Sequence, residues 1–247
     1  MIRKVLRLAA ACLALLAVVS AVAGCGGSAS APVTSATSTP ITKMQAKVYA
    51  HAVNLQEADL PGMNMTSPEG EKADARRVGE VERCAGNLTA SRVVANIHSA
   101  TFSGSNEAEH EQIRSDVEVM PSAALAEQNN ASNRSQRALA CAKRLFPLKL
   151  AGKGGSRVHY GPVTVSRLPY PLPGVPGGFG YRVAINILGV PKAIEPTQPH
   201  LYIDAFAFLS GPAEVALITT AFPQPVSEET ESRLLSLLHS RAEANKL

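Results

Sequence analysis

Hydrolytic, redox and phosphate chemistry leave recognisable residue spacings, and this chain carries few of them. It has no G-x-S-x-G, no H-E-x-x-H and no D-x-D-x-D-G. Its histidines, His51, His98, His110, His159, His200 and His239, are scattered, and each reads more readily as a surface or strand residue than as a ligand. Ser, His and Asp are all present, so composition does not exclude a triad, but no spacing brings them together. Gly152-Lys153-Gly154-Gly155-Ser156 is glycine-rich and basic, yet it lacks P-loop spacing and reads as a turn. In Gly174-Val175-Pro176-Gly177-Gly178, Pro176 removes an amide that a phosphate would need. No catalytic residue, metal ligand or cofactor is therefore assigned. What remains is Asp204, in the middle of an apolar strand and expected to face solvent beside Phe206 and Phe208. An acid next to aromatic rings can mark a ligand cleft, so Asp204, Phe206 and Phe208 are the candidate binding residues.

The other chemistry-bearing residue is Cys25. Arg3, Lys4 and Arg7 precede an apolar stretch from Leu8 to Gly24, interrupted only by Ser20. A basic start, a short apolar run and small residues before a cut describe a secretory signal. The run is about 17 residues, at or below the lower limit for spanning a bilayer. Val22-Ala23-Gly24-Cys25 resembles the lipobox of bacterial lipoproteins. That resemblance implies a diacylglyceryl group on the Cys25 thiol and cleavage after Gly24, so residues 1–24 are expected to be signal. An uncleaved membrane anchor, or an ordinary signal in which Cys25 is incidental, are the alternatives. Acyl chains contribute roughly 0.8 kcal/mol per buried CH₂, and several chains on one cysteine give a stable anchor. Residues 25–43 follow as the lipidated cysteine and a tether rich in Gly, Ser, Thr, Ala and Pro, too poor in apolar residues to form a core.

Residues 44–247 then form a single domain, long enough for one sizeable core. The formal charge of +4 includes Arg3, Lys4 and Arg7, which leave with the signal, so the remainder is near neutral. There is no basic stripe with interleaved aromatics, which disfavours nucleic acid as a partner. Trp is absent and aromatics are 4% of the chain, which disfavours a carbohydrate platform of stacked rings. Of the four cysteines, Cys12 lies in the signal and Cys25 takes the lipid. Cys84 and Cys141 remain, an even pair in an exported domain, and are expected to form a disulfide. Closing that loop stabilises by roughly 4 kcal/mol on the chain-entropy model. A redox pair would show C-x-x-C spacing, and a metal site would need partners nearby; neither pattern is present.

These residues need elements to position them. Val48–Leu55 alternates weakly and reads as a strand, ended by the Pro61-Gly62 turn. Residues 67–81 read as a surface loop with one helical turn, and Cys84 as part of an irregular segment. Ala95–Phe102 and Gln112–Met120 read as two strands of a hairpin, joined by a turn over Ser103–Asn106. A helix is expected from Ser122 to about Phe146, broken near Asn129-Asn130 and stopped by Pro147. Arg157–Leu168, Phe179–Leu188, His200–Leu209 and Glu214–Phe222 read as strands, separated by Pro/Gly-rich loops at 169–178 and 190–199 and by a tight link at Ser210-Gly211-Pro212. A last helix begins near Ser227 or Thr230, with Glu228, Glu229 and Glu231 complementing its dipole and Leu234, Leu235, Leu237 and Leu238 forming its apolar face. The fold class is α+β: helices packed on an antiparallel sheet.

ADLPGM at 58–63, the strand Asp116–Met120 running into PSAALA, ALACAKRL around Cys141, and YIDAFAFLSGPAEVALITT before a terminal amphipathic helix carry a resemblance. The order of segments is similar to actinobacterial secreted lipoproteins of the LpqN type and to the extracellular sensor domains of mycobacterial Ser/Thr kinases, whose fold resembles PsbP. The kinase domains carry two disulfides, whereas this chain can form one. The resemblance implies a small α+β domain with a concave face, a binding role and no known enzyme activity. The expected function is therefore a cell-membrane lipoprotein facing the extracytoplasmic side. It would hold the membrane through Cys25 and bind a small molecule, a lipid or an envelope component. An accessory partner of an envelope protein complex is the alternative, and an envelope hydrolase the least favoured reading.

Overall fold

The computed structural model describes residues 40–66, 84, 93–105, 110–151, 159–188 and 200–247. Met1–Gly24, Cys25 and most of the tether, together with the 67–81, 152–156 and 190–199 loops, lie outside the described residues.

The first element corrects the sequence reading. Val48–Leu55 does not open a strand; Lys43–Val53 is a helix, α1. Thr42 caps it: its Oγ1 accepts from the Gln45 amide at 3.2 Å, while the Gln45 side chain accepts from the Thr42 amide at 2.9 Å. Ala46, Tyr49, Ala50 and Val53 then fall at helical spacing and are buried, so the 3.6-residue period outweighs the weak alternation. A 3₁₀ turn at Glu57–Asp59 leads to the short strand β1 (Asn64–Thr66).

The expected strand over Ala95–Phe102 is two strands, β2 (Ala95–His98) and β3 (Thr101–Ser105), both paired with β4 (His110–Val119). The break falls where Ser99 bonds to Ser115 of β4 through both its amide and its hydroxyl. Ser103–Ser105, expected as a turn, continues β3. Beyond β4 come helix α2 (Ala123–Asn133), capped by Ser122, and helix α3 (Gln136–Ala151). The interruption is at Arg134-Ser135, not Asn129-Asn130, because Ser135 accepts from the Ala138 amide and starts a new helix. Asn129 and Asn130 are buried inside α2. Pro147 does not stop α3, which runs on to Ala151. A proline forfeits its own amide bond and crowds the preceding turn; residues on its C-terminal side can still bond. Cys84 is bonded to Cys141 of α3 with the Cα atoms 6.0 Å apart, and the segment around Cys84 lies outside the described residues.

Strands β5 (His159–Leu168), β6 (Phe179–Leu188), β7 (His200–Ser210) and β8 (Ala213–Phe222) complete an eight-stranded antiparallel sheet. Its order is β1-β3-β4-β8-β7-β6-β5, with β2 also on β4. The final helix, α4 (Glu228–Ala244), is capped by Ser227, whose Oγ accepts from the Thr230 amide.

Helices lie on both faces. On one, α1 and α4 cover Phe102, Ile113, Val117, Val119, Phe206, Phe208, Val215 and Leu217, with Leu234, Leu235 and Leu238 of α4 fully buried. Each such leucine contributes roughly 1.5–3 kcal/mol. On the other, Ala138, Cys141 and Ala142 of α3 pack on Val165, Tyr181, Val183, Ile185, Ile203, Ala205 and Ile218. Polar links orient the helices. Asn54 bonds to the Ile97 carbonyl and Ser115, and Arg241 of α4 forks onto Asp59 at 2.7 and 2.8 Å. Among the described residues helices thus pack on both faces of the sheet.

Candidate binding site

Coverage ends at the start of α4. Side chains alternate along each strand, so register decides which residues share a row. Arg182 of β6 lies opposite Asp204 of β7, and Asp204 opposite Thr219 of β8. All three point toward the α4 side of the sheet. Arg182 donates from Nε at 2.8 Å and from Nη2 at 2.6 Å to the two oxygens of Asp204, a bidentate fork. Its guanidinium also stands over the Tyr202 ring, 5.4 Å from the centroid. From the first turns of α4, Glu231 descends onto the row and accepts from Thr219 Oγ1 at 2.9 Å.

Asp204 is 1% exposed, which corrects the expectation that it faces solvent. The alternation along β7 holds, but α4 covers that face of the strand. Glu231 is 3% exposed. Loss of hydration and the neighbouring charge of Asp204 push its carboxyl up to about 8, against the bond from Thr219 and the charge of Arg182. The bonds it donates to Asp204 hold the Arg182 guanidinium still more firmly protonated than usual. The row is thus a guanidinium clamped by one carboxylate, with a second carboxyl that burial and its neighbour bias toward the protonated form.

This row borders a cavity of about 430 Å³, within the usual range for small-ligand pockets. Arg182 and Glu231 line it together with Phe206 and Leu168. Pro169 and Pro171 of the β5–β6 loop and Pro225 before α4 form stiff rims. Of the three residues chosen from sequence, Phe206 lines the cavity and Asp204 stands directly behind Arg182. Phe208 does not reach it; that ring is fully buried in the core, edge-on to His239 at 5.4 Å. Arg182, Thr219 and Glu231 were not singled out from sequence. The available signal was a charge in the middle of each of two otherwise apolar strands, β6 and β7.

Arg182 and Glu231 give this cavity two groups that can bind and orient a polar ligand. No His or Cys lines the cavity among the described residues, and Ser227 is engaged as the α4 cap. Among the described residues no group of three His, Cys, Asp or Glu could hold a metal ion, and no helix is long and apolar enough to cross a membrane.

No family model matches the chain, and no curated protein matches it. Among solved structures it is similar to the extracellular domain of PknH from Mycobacterium tuberculosis, at 11% sequence identity and a TM-score of 0.42, over 83% of this chain and 98% of that one. At that level the α+β assignment stands on the sheet and helices of this chain themselves.

Proposed function

We propose that this chain is a lipid-anchored extracytoplasmic binding module with no enzymatic role, its ligand seated in the cavity between the Pro169–Gly178 loop and the start of α4. The observation that carries the reading is the Arg182–Asp204–Glu231 row. Buried charges add little to stability beyond what packed apolar side chains would give, and a carboxyl with a strongly shifted pKa at a cavity wall is a common mark of a functional site. A neutral Glu231 can donate a hydrogen bond and Arg182 can present its exposed edge, while Phe206, Leu168 and the prolines take the apolar part of a small molecule or lipid. The Cys84–Cys141 bond supports an oxidising, extracytoplasmic location.

Mass spectrometry of the full chain, purified natively from membranes, tests this. A retained small molecule that is lost from Arg182→Ala, together with a diacylglyceryl adduct on Cys25, is the expected result. A reproducible protein partner with no retained molecule would favour the accessory role instead.

A further inference from the structure

A second cavity, about 280 Å³, lies on the other side of Leu168. It is lined by Arg134, Arg167, Tyr170, Phe179, Tyr181 and the backbone around Gly178 and Gly180. Its walls are fixed by specific contacts. At the end of α2 the Asn133 carbonyl accepts from the Tyr181 hydroxyl at 3.0 Å, and the Arg134 carbonyl accepts from Arg167 Nη2. Asn130 donates to the Gly177 carbonyl at 3.1 Å, which ties the β5–β6 loop to α2. Gly178 and Gly180 allow two rings to lie against the backbone, since a Cβ would stand 2.6 Å from the Tyr170 ring or 2.7 Å from that of Phe206.

The charge here is one-sided. The Arg167 guanidinium stands 6.0 Å from the Tyr181 ring centroid. The positive charges of Arg167 and Arg134 both act on the Tyr181 phenol, opposing the upward push of burial. Among the described residues neither arginine has a carboxylate partner, and no carboxylate lines the cavity. This contrasts with Arg182 and Arg241, each of which forks onto an aspartate. Arg134 and Arg167 both line this cavity and are exposed, so an anion entering it meets two cations. Guanidinium is also the side chain best shaped for a carboxylate or phosphate.

We propose that Arg134 and Arg167 form a receptor for a small organic oxyanion, a carboxylate or phosphate monoester, with its charged end at the two guanidiniums and its apolar body against the rings of Phe179, Tyr170 and Tyr181. The site is separate from the Glu231 cavity and takes ligands of opposite demand: two arginines with no acid partner among the described residues, against a guanidinium already matched. The bland alternative is that Arg167 does no more than satisfy the end of α2. Arg134→Ala separates the two, because it leaves the Arg134 backbone carbonyl, and so the Arg167 bond, in place.

The test is calorimetric titration of the full chain in detergent at low salt with phenyl phosphate, benzoate, inorganic phosphate and uncharged phenol. Saturable one-to-one binding of phenyl phosphate or benzoate is expected, at least tenfold tighter than inorganic phosphate, with no binding of phenol. Which of the two organic anions binds tighter identifies the headgroup. Arg134→Ala should weaken binding at least tenfold with an unchanged melting temperature, and Arg167→Lys should weaken it several-fold through loss of the fork. No saturable binding of any of the three anions would overturn the proposal, as would equal binding to wild type and to Arg134→Ala.

Discussion

Placing a carboxyl in a buried site beside another carboxyl is unfavourable, and Glu231 meets that cost by holding its proton more tightly. The sign of the resulting pH dependence follows from linkage. Its carboxyl rises from 4.5 to about 8 on folding, so the folded chain binds more protons than the unfolded chain between those values. The stabilising contribution is complete below about pH 4.5 and is lost as pH rises through about 8. The slope from one such group is at most about 1.4 kcal/mol per pH unit. Glu231→Gln keeps the shape and removes the titration, so its urea midpoint should be flatter than wild type from pH 5 to pH 9; parallel profiles would sink this account. Asp204 is held differently, by the Arg182 fork. Arg182→Ala strands a buried carboxylate and should cost about 2–4 kcal/mol, toward the lower end because Arg182 is 27% exposed. Arg182→Met with Asp204→Leu should recover most of that loss in a denaturation experiment and still lack ligand binding. A double variant no more stable than Arg182→Ala would show that the pair matters through more than its mutual charge.

At the scale of elements, what could be read from sequence depended on whether the deciding contact was local. Phe179–Leu188 alternates strictly and is β6; the Ser210-Gly211-Pro212 link makes the β7–β8 hairpin; Ser227 caps α4. Each of these is settled within a few residues. Val48–Leu55 misled because α1 is short and its helical stripe mixes Ala with Tyr and Val, so neither period dominates. Asp204 misled for a non-local reason. Its own strand correctly placed it beside Phe206 and Phe208, but α4, more than twenty residues later, decides that this face is covered. For the same cause the Arg182–Asp204–Glu231 row was not legible: register between β6 and β7, and the seating of α4, set it. The disulfide was legible through counting. It joins Cys84 to α3 across a separation of 57 residues. Replacing both Cys84 and Cys141 by Ser should lower unfolding stability by about 4 kcal/mol on the chain-entropy model. Equilibrium denaturation reads this directly, and a loss under about 1 kcal/mol would mean that the unfolded chain is already compact there.

For the whole molecule, the helix that begins the described core starts at Lys43, eighteen positions beyond Cys25. If the lipid on Cys25 is the hold on the membrane, the chain isolated from membranes should begin at a diacylglyceryl-bearing Cys25 by mass spectrometry of its N-terminal peptide. An N-terminal peptide that still carries Leu8–Gly24 would point instead to that apolar segment as an uncleaved anchor. The two cavities flank one loop, Pro169–Gly178, and share Leu168 as a wall. Both cavities thus lie at the β5–β6 end of the sheet.

The pairing of β4 with β8 bears on how the chain is made. His110 finds Phe222, and Val119 finds Ala213, across about a hundred residues. A ribosome or a translocation pore delivers β4 long before its partner. Until Ala213–Phe222 emerges, the growing chain carries a strand with one unsatisfied edge and the uncovered apolar side chains Ile113, Val117 and Val119. The β5–β8 meander can close from neighbours alone, but the first half of the sheet cannot close without the end of the chain. Truncations that stop short of β8 should consequently give aggregates and proteolytic fragments, not a smaller folded domain.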